Sequence, residues 1–183
     1  MRRVAVALVH HPVVDRQGAV VTTAVTNLDV HDIARSAHTF GVPDFFVVHP
    51  VGAQRELVNR IREHWVDGSG AKRIPDRKLA MECLRIVETL DDVVRALGGE
   101  VELWVTSAME GGTLTFAEGR AELERDGPPV VLCFGTGWGL APSVLDRAAR
   151  RLVPIRSPRA DGYNHLSVRA AVAIAFDRLF GVP

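Results

Sequence analysis

The sequence predicts an α/β fold, a mostly parallel sheet with helices on both faces. Two observations predict it. Short apolar, β-branched runs of strand length recur along the chain, and segments with apolar residues three and four apart separate them. No stretch is repeated, of low complexity or linker-like, so a single domain spanning 1–183 is expected.

Val4–Val9 is apolar throughout and reads as a central strand. His11–Val25 carries two short extended pieces around the turn signal Arg16-Gln17-Gly18. Asn27 or Asp29 can cap a helix running to about Phe40, with Ile33, Ala34, Ala37 and Phe40 on one side and Gly41 as its stop. Asp44–His49 is the next strand, and Ala53–Val66 a helix on which Leu57, Val58, Ile61 and Trp65 recur. Beyond Gly68-Ser69-Gly70 the pattern gives a helix from Pro75, a strand Arg85–Glu88, a helix Asp91–Leu97 and a strand Val101–Thr106. Phe116–Glu124 reads as a polar surface helix and Val130–Phe134 as a strand. Pro142–Arg150 (helix), Leu152–Ile155 (short strand) and Asn164–Phe180 (helix) close the chain.

Apolar content of 47% with 24% charged residues is that of an ordinary globular protein, and the net charge is zero. Global attraction to nucleic acid or anionic membrane is therefore not indicated, although basic residues gather between Arg55 and Lys78 and between Arg147 and Arg159. No apolar stretch approaches the roughly 20 residues that span a bilayer. Cys83 and Cys133 form no CxxC pair and sit among apolar neighbours, as small core residues of a reducing cytoplasm would. The seven histidines show no HxH or HxxxH spacing, so no metal site is expected.

Three stretches carry chemistry. Gly135, Gly137 and Gly139 follow the strand Val130–Phe134, where bare backbone can meet a ligand at the carboxyl edge of a sheet. The spacing is neither GxGxxG opening an early βαβ unit nor a P-loop. About twenty residues on, Asn164 and Ser167 stand at the mouth of the last helix, which offers free N–H groups. Far upstream, Asn27, His31 and Arg35 are spaced by four and share one face of their helix, a polar stripe opposite its core face.

In order and content these pieces resemble the three motifs of the SPOUT superfamily of S-adenosylmethionine-dependent RNA methyltransferases. Asn27 to Ala37 with Phe40-Gly41-Val42 is similar to the first, Leu132-Cys133-Phe134-Gly135 to Leu140 to the second, and Pro154-Ile155 with Asn164 to Ala171 to the third. The resemblance covers nearly the whole chain and is greatest to a bacterial branch that consists of a methyltransferase domain alone. It implies a parallel sheet of five or six strands with a deep trefoil knot in its C-terminal part. It implies S-adenosylmethionine bound bent among the loop after Thr106-Ser107, the loop Gly135–Leu140 and the segment Ile155–Ser167, with adenine near Leu132, Ile155 and Leu166. It also implies a homodimer whose partner completes each site, and an RNA substrate, tRNA or rRNA.

On that reading Arg35 grips the target phosphate or polarises the acceptor, and Asn27 holds that loop or touches the acceptor nucleotide. His31 and His165 are the candidate bases. Gly137-Trp138 stands where many relatives have Glu, and His165 where many have Asn. These departures leave two alternatives: a catalytically reduced S-adenosylmethionine-binding module that contacts RNA, and a nucleotide-binding α/β enzyme of plain doubly wound topology.

Overall fold

Val4–Val9 (β1) is buried along its whole length because the sheet around it is covered on both faces. The computed structural model describes residues 1–182. Val13–Val14 (β2) and Val20–Val21 (β3) form a small antiparallel hairpin outside the main sheet. Asp44–Val48 (β4), Leu84–Val87 (β5), Glu102–Val105 (β6), Val130–Gly135 (β7) and Arg150–Arg151 (β8) join β1 in one sheet of order β5-β4-β1-β7-β6-β8. Every pairing in it is parallel. Parallel strands all deliver their loops to the same edge, so the segments after Val9, Val48, Val105 and Gly135 gather at one end of the sheet.

The alternation of side chains divides the core into two layers. Val6, Leu8, Phe45, Val47, Trp104 and Leu132 point to one face. That face is covered by Asn27–Thr39 (α1), Gly52–Val66 (α2), Pro75–Glu82 (α4), Phe116–Glu124 (α6) and Val168–Phe180 (α8). Ala5, Ala7, Phe46, Val131 and Cys133 point to the other, under Leu90–Ala96 (α5) and Pro142–Leu145 (α7). A five-residue helix, Ser69–Arg73 (α3), links α2 to α4. No helix among the described residues is long and apolar enough to cross a membrane.

Most element ends lie within a residue of the sequence expectation, and four differences bear on the site or the topology. The N-cap of α1 is Thr26, not Asn27 or Asp29. Its hydroxyl accepts from the Asp29 amide at 3.2 Å and donates to the Asp29 carboxylate at 2.6 Å. At the other end Gly41 adopts φ +70°, and the Val42 amide reaches back to the Ala37 carbonyl, the left-handed helix stop that glycine favours. α7 ends at Leu145 rather than Arg150. The last strand is Arg150–Arg151, not Leu152–Ile155, because beyond Leu152 the chain leaves β6 and pairs with Leu114 instead. α8 starts at Val168, with Ser167 as its cap, so Asn164 stands outside the helix.

Candidate functional site

The glycine loop leaves β7 as a tight turn. A Cβ on Gly135 would lie 2.6 Å from the Leu140 amide nitrogen, so only glycine fits there. Gly137 and Gly139 take φ of +60° and +114°. On one side the loop is clamped by the hairpin: Trp138 donates to the Val14 carbonyl, Val14 to that of Gly139, and Ala141 to that of Pro12. Leu140 is buried by this clamp. The other side is free, with open space where a Cβ of Gly139 would stand.

That free side meets the segment before α8. The Trp138 ring stands edge-on to His165 at 5.8 Å, and His165 in turn to Tyr163 at 5.3 Å. Trp138, Tyr163 and Leu166 are all exposed, and the Arg16 guanidinium lies over Trp138. Asn164 donates from Nδ2 to the Ile155 carbonyl at 2.9 Å, which cinches residues 155–164 into a closed loop. Ser167 caps α8 through a 3.4 Å contact from the Ala170 amide. Ser107, on the exposed loop after β6, turns that loop by accepting from the Met109 amide.

Under the glycine loop lies a partly buried polar relay that sequence reasoning missed. The Thr136 hydroxyl donates to the Val9 carbonyl, so Thr23 Oγ1, 2.5 Å away, donates to Thr136 and accepts a hydrogen bond from the Nδ1–H of His10. His10 is fully buried, and its Nε2 is left without a partner. Burial, then the neighbouring His49, pushes its pKa down to about 4. His49 accepts from the Val51 amide at Nδ1 and donates from Nε2 to the Thr23 carbonyl, which fixes it as the neutral tautomer. The only sequence signal for it is the pair His10-His11 directly after the apolar run of β1.

The upstream stripe is tied to the last helix by charge. Arg169, the first-turn arginine of α8, reaches Asp29 at 3.2 Å and Asp32 at 3.4 Å. Asn27, His31 and Arg35 do share one face, as their spacing implies, but they line a cleft between α1, α2 and α4 with Trp65 and Arg77. None of the glycine-loop or 155–167 residues lines that cleft, so within one chain Arg35 and His165 belong to separate surfaces. His31 lies in the cleft with its pKa lowered, by burial first and by the Arg77 cation second.

Leu132 stands apart from the other expected ligand residues. It is mid-strand, fully buried and paired with Val6 and Trp104, so it packs the core and does not reach the loop edge. Cys83 and Cys133 are core groups as expected. Burial pushes their thiols up to about 11 and about 12, leaving no nucleophile at neutral pH.

Comparison with known proteins gives this arrangement a family. A family described as SAM-dependent RNA methyltransferase matches residues 3–181. A tRNA (guanine-N(1)-)-methyltransferase of Oleidesulfovibrio alaskensis is 42% identical over 98% of this chain, but the match occupies only 42% of that protein. A protein of Aquifex aeolicus is 33% identical over 97% of this chain and 88% of its own length. In fold, a probable methylase family protein from Haemophilus influenzae superposes with a TM-score of 0.65, at 17% identity, over 97% of this chain and 65% of that one. The chain thus spans less than half the length of that tRNA methyltransferase.

Proposed function

Because the chain belongs to the family of SAM-dependent RNA methyltransferases, we propose that it methylates tRNA with S-adenosylmethionine held between the glycine loop and the segment 155–167. The observation that carries this reading is the meeting of Trp138 with His165, which brings the second and third motif loops face to face at the carboxyl edge of the sheet. Family membership sets aside the plain nucleotide-binding alternative.

The residues present suit the cofactor. Gly139 leaves open space above the loop, and Asn164 shapes the facing loop by holding the Ile155 carbonyl. The groups that would hold S-adenosylmethionine are the backbone of Gly135, Gly137 and Leu140 and the open face left by Gly139, whose own N–H is bonded to the Thr136 carbonyl, with Ile155, Leu166, Ser167 and Ser107 around them. Once bound, it supplies an electrophilic methyl group on a sulfonium. The chain has then to place the acceptor in line and take up its proton.

Arg35 holds the acceptor's phosphate or polarises its nucleophile, with Asn27 beside it and His165 at the loop side as the candidate base. Arg35 and His165 lie on separate surfaces of one chain, so the complete site draws Arg35 from a second copy in a homodimer. The chain forms one domain over 1–183, and its C-terminal part is threaded as a deep trefoil knot. Support for the threading is the return of the chain from the sheet edge at β8 to α8, which packs against α1 and β7.

Calorimetry with S-adenosylmethionine and S-adenosylhomocysteine tests the cofactor, and labelled methyl incorporation into bulk tRNA and rRNA tests the acceptor. Micromolar cofactor binding with transfer to tRNA, lost in Arg35→Ala, is the expected result. The separation of Arg35 from the glycine loop also favours a second reading, a S-adenosylmethionine-binding RNA module without transfer. Cofactor binding with no methyl incorporation into either RNA would establish that one.

A further inference from the structure

The cleft between α1, α2 and α4 has a volume of about 610 Å³, within the range in which ligands are held. Its walls are unusually cationic for a chain of zero net charge. α1 contributes Arg35 and His31, α2 contributes Arg60 and His64, and α4 contributes Arg77. Arg35 and Arg77 make no ion pair among the described residues, and Arg60 is held only by Glu56 one turn back on an exposed helix face. Such a surface pair contributes little and yields readily to a better anion.

Arg77 is already positioned. Its guanidinium lies over the Trp65 ring, 4.6 Å from the centroid. The ring is itself fixed by the edges of His31 and His64, at 5.4 and 5.1 Å. On a further side a Cβ on Gly70 would fall 2.7 Å from the ring, so backbone packs directly against it. A guanidinium held over a ring in this way loses less freedom when its fork takes an anion. The acidic neighbours do not cancel the field. Asp32, on the cleft wall, is drawn to Arg169, while Glu63 and Asp67 line an adjoining depression beside Arg60 and His64. The pKa of His31 is lowered first by burial and further by Arg77, Arg35 and His64, against Asp32, which raises it, so the cationic side of the cleft outweighs its one carboxylate at that ring.

We propose that this cleft is a phosphodiester-binding site that grips the backbone of the RNA substrate, with Arg60 and Arg77 as its anion ligands and Trp65 as the residue that positions Arg77. The proposal rests on RNA being the substrate. It extends the role of Arg35 outward: the strand that presents the acceptor continues along α2 and α4.

The test is binding of bulk bacterial tRNA, followed by fluorescence anisotropy from 50 to 200 mM salt. It compares wild type, Arg60→Gln, the Arg60→Gln/Arg77→Gln double variant and Trp65→Leu. Arg125→Gln is the charge control, because Arg125 follows α6 at the opposite, amino-terminal edge of the sheet. The double variant is expected to bind about tenfold more weakly at low salt. Its slope of log affinity against log salt should be shallower by roughly 0.7 to 0.9 per lost contact. Arg60→Gln alone, at a side chain 73% exposed, should lose about one contact's worth without disturbing the fold. Trp65→Leu should weaken binding with less change in slope, since the charge remains. Melting temperature and S-adenosylmethionine affinity should be unchanged in both glutamine variants. A double variant with wild-type slope and affinity overturns the proposal, as does an equal loss in Arg125→Gln. Failure of wild type to transfer methyl groups, measured separately, would instead count against the proposed activity.

Discussion

Arg169 Nη1 lies 3.2 Å from the carboxylate of Asp29, across 140 residues of sequence. This contact joins the first turn of α8 to the first turn of α1, and so fixes the third motif against the first. Asp29 is nearly buried, and its second oxygen is taken by the Thr26 hydroxyl. Arg169→Ala therefore leaves a buried carboxylate short of a partner, at a cost of about 1–3 kcal/mol in urea denaturation. The double variant with Asp29→Asn should lose less than the sum of the two single changes, because the stranded charge is gone. Additive losses would show that the pair does not couple the helices.

Gly135 tests the tightness of the loop itself. A methyl group there meets the Leu140 backbone at 2.6 Å, and backbone cannot swing aside as a side-chain tip can. Gly135→Ala should destabilise by roughly 1–3 kcal/mol, the usual range for overpacking. It should also weaken S-adenosylmethionine binding, read by calorimetry. Gly18→Ala, at φ +83° in the hairpin turn with open space around it, should cost stability and leave cofactor affinity intact.

The sheet was legible because its signal is local. β1, β7 and, after Asp44, β4 are continuous apolar runs, as buried parallel strands tend to be. The helix ends were harder. Thr26 and Asn27 are both good caps, and only the reciprocal bonds to Asp29 decide between them. The Arg150–Arg151 strand was invisible, since two arginines on an edge carry no apolar pattern. At the site, the glycine spacing pointed to the loop, but Leu132 faces the core because strand parity and register, not proximity in sequence, set its direction. The His10–Thr23–Thr136 relay joins residues 13 and 113 positions apart, which no local pattern can announce. The cleft around Trp65 was likewise hidden. Trp65 reads as a core-face residue of its helix and proves to be the floor of a cationic groove.

Arg35 separates binding from chemistry. It is exposed and makes no ion pair among the described residues, so Arg35→Ala should leave the melting temperature within about a degree of wild type. S-adenosylmethionine affinity should also hold, since the glycine loop and the 155–167 segment are untouched. If the proposed transfer to tRNA is the activity, its rate should fall by about 100-fold or more, the scale of a lost charge-stabilising donor. An Arg35→Ala protein with full transfer activity removes Arg35 from the reaction.

The buried His10 of the relay under the glycine loop makes the fold sensitive to mild acid. His10 has its pKa pushed down to about 4 by burial and by His49, whereas in the unfolded chain it titrates near 6.5. Between these values the unfolded state binds the extra proton, so stability rises with pH across that window and is fully present above about 6.5. Going down in pH, the contribution drains away from about 6.5 and is gone near 4, where the folded state protonates as well. The drop attributable to His10 is roughly 3 kcal/mol at most. His31 and His49, both lowered, act in the same direction. Urea denaturation at half-unit steps from pH 7.5 to 4 should show this loss in wild type. His10→Gln cannot take up the proton and should be less stable at pH 7.5, because the relay to Thr23 is broken, yet flatter across the window. A His10→Gln protein with the wild-type pH slope would mean that His10 is not the group that titrates.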